Sequence, residues 1–332
     1  MKFIKRIAIV GCTGLVGRTV LKVLEEKSFS NCSYTLFASS KSANTKIEFL
    51  GRQYIICELK ETSFDSGFDY AIFCAGGEVS KKYAPIAVEK GCTVIDNSSI
   101  FRMDDDVPLV VPEVNPEDIF KNNGIISNPN CSTIQAVLPL KPLHDRYGIK
   151  RIVYSTYQAV SGAGRYGIED LENGPKNIPL EKFQYPIYNN CIPQIDKFMD
   201  DSYTKEEHKM INETKKILHD PNISITATAV RVPVKNCHSE SINIELNNEF
   251  DIYDVKILLQ NYPGIILIDD IEKNYYPLAT KADGYDEVFV GRVRRDYSIK
   301  NGLNLWVVAD NLRKGAASNA VQILEKLLFQ KK

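Results

Sequence analysis

The residues with the clearest chemical potential lie in the heptapeptide Ser127-Asn128-Pro129-Asn130-Cys131-Ser132-Thr133. The apolar Gly124-Ile125-Ile126 precedes it and Ile134 to Leu138 follow, so we expect a strand, a turn and a helix that begins near Cys131. Unpaired N–H groups and the helix dipole lower a thiol's pKa at such a position, and a thiolate is a strong nucleophile. A buried structural cysteine fits the heptapeptide equally well, so both interpretations stay open.

A second motif is the glycine loop Gly11-Cys12-Thr13-Gly14-Leu15-Val16-Gly17, between the apolar Ile7 to Val10 and an amphipathic helix. Glycines let the backbone approach a pyrophosphate, and the helix N-terminus supplies N–H donors. The spacing G-x-x-G-x-x-G is not the usual dinucleotide spacing, and a tight turn that needs glycine is the alternative. The strand-loop-helix context favours a dinucleotide site.

The polar stretch Ser39-Ser40-Lys41-Ser42 follows the next predicted strand, Tyr34 to Ala38. An NAD site usually places an aspartate or glutamate here to bond the ribose 2′-hydroxyl. Hydroxyl groups and a cation suit the 2′-phosphate of NADP instead, so we predict NADP. A solvated polar loop is the alternative.

One of the chain's four histidines lies in Arg231-Val232-Pro233-Val234-Lys235-Asn236-Cys237-His238-Ser239. Imidazole titrates near neutral pH and is the usual partner of a reactive cysteine. The Arg231 guanidinium suits bidentate binding of a carboxylate. Spacing alone allows a non-catalytic histidine equally well.

Two further cations suggest a phosphate site only if the fold brings them together, which the sequence does not show. Arg102 lies beyond a predicted strand that ends at Asp96, and Lys216 lies near Glu213 in a charged segment that reads most simply as a solvated helix face. The His, Cys and Asp residues lack metal-ligand spacing, and the chain has no Gly-x-x-x-x-Gly-Lys-Ser/Thr loop. We therefore expect neither a metal site nor a P-loop.

Strands alternate with helices up to about residue 130, which predicts an α/β domain with a parallel, Rossmann-type sheet. Beyond about residue 150 the predicted strands are longer and separated by loops, which favours a mixed, largely antiparallel sheet in an α+β domain. The last helix is expected to return to the first domain. We predict a dinucleotide domain of residues 1–130 and 311–332, a second domain of residues 131–310, and loops over 162–177 and 186–193.

Composition narrows the class of protein. The chain has 332 residues and a net charge of −1, which gives no electrostatic reason to expect nucleic acid or an anionic membrane as a partner. No apolar run reaches the roughly 18 residues of a membrane span, and Met1 to Arg6 lead into a strand instead of a signal peptide. The eight cysteines are scattered, which is typical of free thiols in a reducing cytoplasm.

Taken in order, these motifs resemble one family, the bacterial branch of aspartate-semialdehyde dehydrogenase. The similarity covers most of the chain and includes five further segments: Ala38 to Ser42, Val110-Val111-Pro112-Glu113-Val114-Asn115, Thr156 to Gly164, Arg231 to His238, and Asp310-Asn311-Leu312-Arg313-Lys314-Gly315-Ala316-Ala317. The resemblance implies that NADPH reduces L-aspartyl 4-phosphate to aspartate semialdehyde and phosphate through a cysteine acyl-thioester. The product feeds the synthesis of lysine, diaminopimelate, threonine and methionine.

The resemblance also implies roles for individual residues. Cys131 is the nucleophile, His238 is the acid/base, and Gln158 and Asn130 position the substrate and the thioester. Arg231 and Glu213 bind the α-carboxylate and amino group of the substrate, while Arg102 and Lys216 bind its phosphate. The positions that match cofactor contacts are Thr13, Gly14, Leu15, Val16, Lys41, Ser42, Ser161, Gly162 and Asn311, which join Gly11 and Ser39 from the motifs above.

Two departures from the family pattern affect these expectations. Lys41 stands where arginine is more common, which weakens the case for strict NADP preference because lysine lacks a planar fork. The segment from Arg165 to Tyr185 is shorter than in relatives and is expected to contact another subunit or to form a lid. The family implies a homodimer, or two homodimers in a tetramer, formed through the second domain's sheet.

Two other functions stay open. N-acetyl-glutamyl-phosphate reductase uses related chemistry on the same architecture, although its cysteine usually follows Pro-Gly instead of the Pro129-Asn130 found here. A catalytically silent relative that binds a dinucleotide is the second alternative. The residues that argue against it are Cys131, Gln158, Arg231 and His238.

Overall fold

The computed structural model describes residues 4–29, 31–176 and 178–329. It divides into two compact units, Met1–Pro129 with Ala316–Lys332 and Asn130–Gly315. The second crossing between the units therefore lies after residue 315, later in the chain than the predicted position after residue 310.

Strands and helices cover most of both units. The strands are β1 (Lys5–Val10), β2 (Cys32–Ala38), β3 (Lys46–Phe49), β4 (Arg52–Ile55), β5 (Cys57–Glu58), β6 (Tyr70–Phe73), β7 (Thr93–Asp96), β8 (Ile125–Ser127), β9 (Ile149–Gln158), β10 (Ser224–Arg231), β11 (His238–Leu246), β12 (Ile265–Leu267), β13 (Val288–Asp296) and β14 (Gly302–Ala309). The helices are α1 (Leu15–Lys27), α2 (Gly77–Glu89), α3 (Cys131–Tyr147), α4 (Arg165–Asn173), α5 (Lys205–Leu218), α6 (Ile252–Gln260), α7 (Ala279–Ala282) and α8 (Ser318–Phe329). Short 3₁₀ turns and one π-helical stretch, Arg313–Ala317, complete the set.

The first unit is built on a six-stranded parallel sheet in the order β5-β2-β1-β6-β7-β8. Its central strands are apolar without alternation, and Ile7 to Val10 are fully buried, because helices cover both faces of such a sheet. One face packs against α1 and α8, and the other packs against α2. The predicted Rossmann-type sheet is confirmed, and α8 belongs to this unit.

The second unit contains a mixed six-stranded sheet in the order β10-β9-β11-β14-β13-β12. The pairs β9–β10 and β12–β13 are parallel, and the other neighbouring pairs are antiparallel. Helices α3 and α5 pack against the sheet near β11 and β10. The predicted mixed, largely antiparallel sheet is confirmed.

The predicted loop over residues 162–177 is wrong for most of its length, because α4 occupies Arg165–Asn173. Tertiary contacts explain the helix: the buried Asp170 carboxylate accepts hydrogen bonds from three successive backbone N–H groups, those of Glu181, Lys182 and Phe183, at 2.8–2.9 Å. These N–H partners lie outside residues 162–177. The glycines and asparagines within that segment gave no local signal for a helix. Asn177 lies outside the described residues.

Helix α3 begins at Cys131, as the sequence predicted, and most of its other residues are buried. Within the described residues, every helix is too short or too polar to span a lipid bilayer. All eight cysteines are described, and each is a free thiol.

Candidate active site

The Cys131 thiol is positioned by the cap of α3. Asn130 adopts an extended backbone conformation, and its Oδ1 accepts hydrogen bonds from the N–H groups of Ser132 at 2.9 Å and Thr133 at 3.3 Å. These two bonds satisfy donors that the helix itself cannot pair. Cys131 is therefore the first helical residue, half-buried, where the remaining N–H groups and the dipole favour a thiolate.

Four strand ends of the mixed sheet meet beside this thiol. Parallel β9 and β10 end together at Gln158 and Arg231, and antiparallel β11 begins at the same edge with His238. Strand β14 also ends here, because Ala309 pairs with His238. The sheet register therefore gathers residues that are far apart in the sequence, and Gln158, Arg231 and His238 are all buried.

His238 is the direct partner of the thiol. Its Nε2 lies 3.1 Å from the Cys131 Sγ, and its Nδ1 accepts a hydrogen bond of 3.0 Å from the backbone N–H of Ala159. A neutral imidazole holds one hydrogen, and Nδ1 cannot carry it while it accepts the Ala159 bond. The neutral ring therefore carries its hydrogen on Nε2, directed at the sulfur.

The surroundings of His238 favour this neutral form. Burial and, to a smaller extent, the nearby Arg231 guanidinium hold the pKa of His238 well below its usual 6.5. Burial also lowers the pKa of Arg231, whose Nη1 donates a hydrogen bond of 2.7 Å to the Ala159 carbonyl oxygen. The Cys131–His238 pair can therefore act as a thiolate next to a fixed N–H donor.

Two glycines keep space open around the pair. A Cβ at Gly162 would lie 3.0 Å from the Arg231 Nη1 and 3.1 Å from the His238 Cε1. A Cβ at Gly315 would lie 2.7 Å from the Cys131 Cβ, which is closer than real Cβ contacts. Any side chain at residue 315 would therefore displace the cysteine.

Glu206 is the main residue of the site that the sequence analysis missed. Its Oε1 accepts hydrogen bonds from the Asn130 Nδ2 at 2.8 Å and the Gln158 Nε2 at 3.2 Å. Its Oε2 lies 3.1 Å from the Lys209 Nζ. Glu206 lies seven positions before Glu213, so both residues lie on one face of a helix, and this spacing was the available signal.

Glu213 is buried instead of solvated, so the interpretation of this stretch as a plain solvated face is wrong at this position. Its Oε2 accepts a hydrogen bond of 2.7 Å from the backbone N–H of Asn130. Lys216 follows on the same helix and is half-buried. Helix α5 therefore presents two carboxylates, Glu206 and Glu213, to the cap of α3.

Ser161, Gly162 and Asn311 also lie at this edge of the sheet. The Ser161 hydroxyl and the Asn311 side-chain amide are hydrogen-bonded, with the Asn311 Nδ2 donating at 3.0 Å. The Asn311 Oδ1 accepts a bond of 3.0 Å from the backbone N–H of Cys237, next to His238. These three predicted cofactor residues therefore surround the start of β11.

The remaining predicted cofactor residues lie in the first unit, around the glycine loop. Gly14 is the N-cap of α1, and Leu15 and Val16 are its first residues, so their N–H groups lie at the helix N-terminus. Gly11 has a φ of +84°, and a Cβ there would lie 2.8 Å from backbone atoms of Cys74 and Ala75. The loop therefore needs glycine at residue 11.

Two cavities in the first unit share Thr13 in their linings. The first, about 560 Å³, is lined by glycine-loop residues and Ser39 together with apolar side chains such as Leu59 and Val79. The second, about 540 Å³, contains Lys41 and Ser42 and two cations that the sequence analysis missed, Arg18 and Lys46. Glu48 also lines the second cavity, whose lining therefore holds three cations and one carboxylate.

Arg102 lies in the first unit, just beyond β7, and is buried. Its Nε donates to the Asn128 carbonyl oxygen at 2.9 Å and its Nη2 to the Asn97 carbonyl oxygen at 3.0 Å. Lys216, its predicted partner in a phosphate site, belongs to the second unit.

Comparisons with known proteins agree with this architecture. The family described as "Semialdehyde dehydrogenase, NAD binding domain" matches residues 6–122, and "Semialdehyde dehydrogenase, dimerisation domain" matches residues 140–314. A protein of Aquifex aeolicus named aspartate-semialdehyde dehydrogenase is 54% identical over 333 residues, which cover 97% of this chain and 98% of the relative.

Solved structures give the same result. A crystal structure of aspartate semialdehyde dehydrogenase II complexed with ASA, from Vibrio cholerae, is 47% identical, has a TM-score of 0.94 and is matched over 99% of both chains. A structure of aspartate semialdehyde dehydrogenase with NADP, from Candida albicans, is 27% identical, with a TM-score of 0.78 over 98% of both chains.

The resemblance drawn from the motifs is confirmed by these matches. The first unit carries the family's nicotinamide-dinucleotide-binding domain, and the chain is an enzyme. Its similarity to named relatives over nearly its full length shows that this chain belongs to the aspartate-semialdehyde dehydrogenase family.

Proposed function

We propose that this enzyme reduces L-aspartyl 4-phosphate to L-aspartate 4-semialdehyde and phosphate with NADPH, through an acyl-thioester on Cys131. The observation that carries the proposal is the 3.1 Å contact between the Cys131 Sγ and the His238 Nε2 at the start of α3. The relative from Vibrio cholerae was crystallised with ASA, which supports the same substrate here. The product would supply the synthesis of lysine, diaminopimelate, threonine and methionine.

Cys131 acts first in this proposal. Its thiolate attacks the acyl carbon, a C–S bond forms, and the bond to the phosphate oxygen breaks so that phosphate leaves with the electron pair. When bound, the nicotinamide supplies the hydride that reduces the thioester carbon. The C–S bond then breaks, the aldehyde leaves, and the sulfur is again a thiolate that the helix N-terminus stabilises.

His238 contributes a hydrogen-bond donor at Nε2. The Ala159 N–H holds the other ring nitrogen as an acceptor, so the Nε2–H is available to the sulfur and to the oxyanion of each tetrahedral intermediate. This proposal narrows the acid/base role that the family resemblance implies. The ring holds a proton at Nε2 throughout, and the leaving phosphate takes up the proton that the net reaction consumes.

The polar residues of the site suit an amino-acid substrate. We assign the α-carboxylate to Arg231 and the amino group to Glu213, because a guanidinium pairs with a carboxylate in a bidentate geometry. Gln158 and Asn130 position the acyl group. Arg102 and Lys216 are our candidates for binding the phosphate, as the resemblance implies.

We assign NADP as the cofactor. The glycine loop, the α1 N-terminus and the cavity beside them fit a dinucleotide, since Gly11 and Gly14 leave no side chain in the way of a pyrophosphate. The neighbouring cationic cavity, with Lys41, Arg18 and Lys46, suits a 2′-phosphate. Ser161, Gly162 and Asn311 are our candidates for contacts with the nicotinamide half.

We further propose that the protein forms a homodimer through the second unit, that two homodimers can pair into a tetramer, and that it works in a reducing cytoplasm. The matched dimerisation domain covers residues 140–314. The sheet in this unit carries aromatic residues on an open face, where Tyr157 is 39% exposed and packs against the Trp306 ring at 5.6 Å. The eight free thiols suit a reducing compartment.

The decisive experiment follows NADPH formation from aspartate semialdehyde by absorbance, with and without phosphate. We expect phosphate-dependent turnover, and comparison of aspartyl phosphate with N-acetyl-glutamyl phosphate in the forward direction decides between the two substrate classes. Folded protein that binds NADP but shows no phosphate-dependent turnover would instead establish the catalytically silent relative.

A further inference from the structure

The buried carboxylate of Glu206 connects two side-chain amides of the site. It is 4% exposed, and its Oε1 accepts hydrogen bonds from both the Asn130 Nδ2 and the Gln158 Nε2. Its other oxygen faces Lys209, whose Nζ is also 2.9 Å from the Asp196 carboxylate. No step of the proposed reaction uses Glu206, although it contacts two of the residues assigned to that reaction.

An ionised carboxylate accepts hydrogen bonds and cannot donate them, and this property fixes which way each amide faces. The Asn130 Nδ2 must face Glu206, so its Oδ1 is turned to the Ser132 and Thr133 N–H groups that begin α3. Similarly, the Gln158 Nε2 must face Glu206, which directs the Gln158 Oε1 elsewhere. A neutral group that both donates and accepts would permit either orientation of Gln158, and it would leave Asn130 oriented by the Ser132 and Thr133 N–H groups alone.

The charges around Glu206 keep it ionised. Burial raises its pKa, but the Lys209 charge and the hydrogen bonds from Asn130, Lys209 and Gln158 outweigh burial and hold the pKa below its usual 4.5. Arg231 on β10 adds a second positive charge within electrostatic reach. Glu240 on β11 is the other buried carboxyl group nearby, and burial together with the Glu206 charge raises its pKa well above 4.5.

We propose that Glu206 is a positioning residue, whose carboxylate orients the Asn130 and Gln158 amides and thereby holds Cys131 at the start of α3. The kinetic part of this proposal rests on the proposed function, whereas the effect on the thiol does not. The role differs from that of Glu207, the next residue, which is also buried but bonds the backbone N–H groups of Thr204 and Ala229. Glu207 therefore stabilises α5 and β10 without contacting a site amide.

Glu206→Gln tests the proposal, with Glu207→Gln as its matched control. The new amide can donate as well as accept, so Gln158 loses its fixed orientation and Asn130 is oriented only by its bonds from Ser132 and Thr133. We expect kcat in the phosphate-dependent assay to fall by about 10- to 100-fold, with a smaller change in KM, because misplacement by about 1 Å has effects of this size. We expect Glu207→Gln to lower the midpoint of urea unfolding while kcat stays within about twofold of the wild type.

Alkylation of Cys131 by iodoacetamide provides a readout that does not depend on the proposed reaction. We expect Glu206→Gln to slow alkylation at neutral pH, relative to both wild type and Glu207→Gln, since the Asn130 side chain that caps the helix is then held from one side only. Cys131→Ala, which lacks this thiol, gives the background from the other cysteines. If wild type shows no phosphate-dependent turnover, the proposed function fails and alkylation alone decides on Glu206.

Lys209→Met is a second variant, which leaves the Glu206 carboxylate in place but removes its ion-pair partner. Without Lys209 the pKa of Glu206 must rise, so we expect the acidic limb of kcat against pH to move to higher pH and activity to recover under alkaline conditions. This shift decides the question even if Glu206→Gln does not fold. Wild-type alkylation and kcat in Glu206→Gln, or an unmoved pH profile in Lys209→Met, would overturn the proposal.

Discussion

Replacing His238 with glutamine tests whether the imidazole at the centre of the site is held neutral. The ring is fully buried, and burial is the main cause that keeps its pKa well below 6.5. Glutamine has a similar reach, stays neutral at every pH, and offers an oxygen to the Ala159 N–H and an N–H to the sulfur. The variant therefore preserves both hydrogen bonds and removes only the capacity to take up a proton.

The sign of the pH effect follows from proton uptake by the unfolded chain. Below pH 6.5 the unfolded state binds a proton at His238 that the folded state does not bind, so unfolding becomes easier as the pH falls. This one group lowers the free energy of unfolding by about 1.4 kcal/mol per pH unit below 6.5, until the pH reaches its folded-state pKa. Above about pH 7.5 it contributes no pH dependence.

Urea unfolding at a fixed protein concentration measures this effect in wild type and His238→Gln. The difference between the two proteins cancels the carboxylates, which titrate in both. We expect the advantage of wild type over the variant to decrease by about 1.4 kcal/mol for each pH unit between about pH 6 and about pH 5. A difference that does not change with pH would mean that the folded ring takes up its proton normally, and the assignment of a fixed neutral donor would be wrong.

Three further predictions concern the nucleophile, its cap and the cofactor. Cys131→Ala should abolish phosphate-dependent turnover while NADP binding, measured by fluorescence titration, stays near wild type; retained turnover would remove Cys131 from the mechanism. Asn130→Ala should lower the free energy of unfolding by about 1 kcal/mol in urea titrations, because two capping hydrogen bonds are lost; an unchanged value would contradict the capping role. Lys41→Glu should weaken NADP binding by about tenfold or more and NAD binding much less, since charge-assisted bonds contribute about 1.5–3 kcal/mol; equal losses for both cofactors would show that Lys41 does not meet the 2′-phosphate.

The parts of the fold that depend on local patterns could be predicted from the sequence. Continuous apolar runs such as Ile7 to Val10 mark strands that are buried on both faces, and the Asn130 cap with the helix-like run after it marks the start of α3. Helix α4 was missed because the contacts that stabilise it join two separate segments. The Asp170 carboxylate, for example, accepts hydrogen bonds from residues 181–183, and no periodic pattern in the sequence connects the two segments.

Site residues could be predicted where the residue type has few roles in proteins, and could not be predicted where it has many. A cysteine at a helix start and one of only four histidines are uncommon features, so Cys131 and His238 could be named as candidates, and the family resemblance then implied their roles. Glutamates on a charged helix are common, and the seven-residue spacing of Glu206 and Glu213 places them on one face without showing that this face is buried. The Ala159 N–H that sets the tautomer of His238 is a backbone group, which the sequence does not encode by residue type.

Gly315 makes the reactive sulfur sensitive to the addition of a single methyl group. A Cβ at position 315, in the π-helical stretch Arg313–Ala317, would overlap with the Cys131 Cβ. Gly315→Ala would therefore be a purely steric means of inactivation, which changes no charge and deletes no hydrogen-bonding group. Inhibitor studies could use such a variant as an inactive control whose active-site charges are those of the wild type.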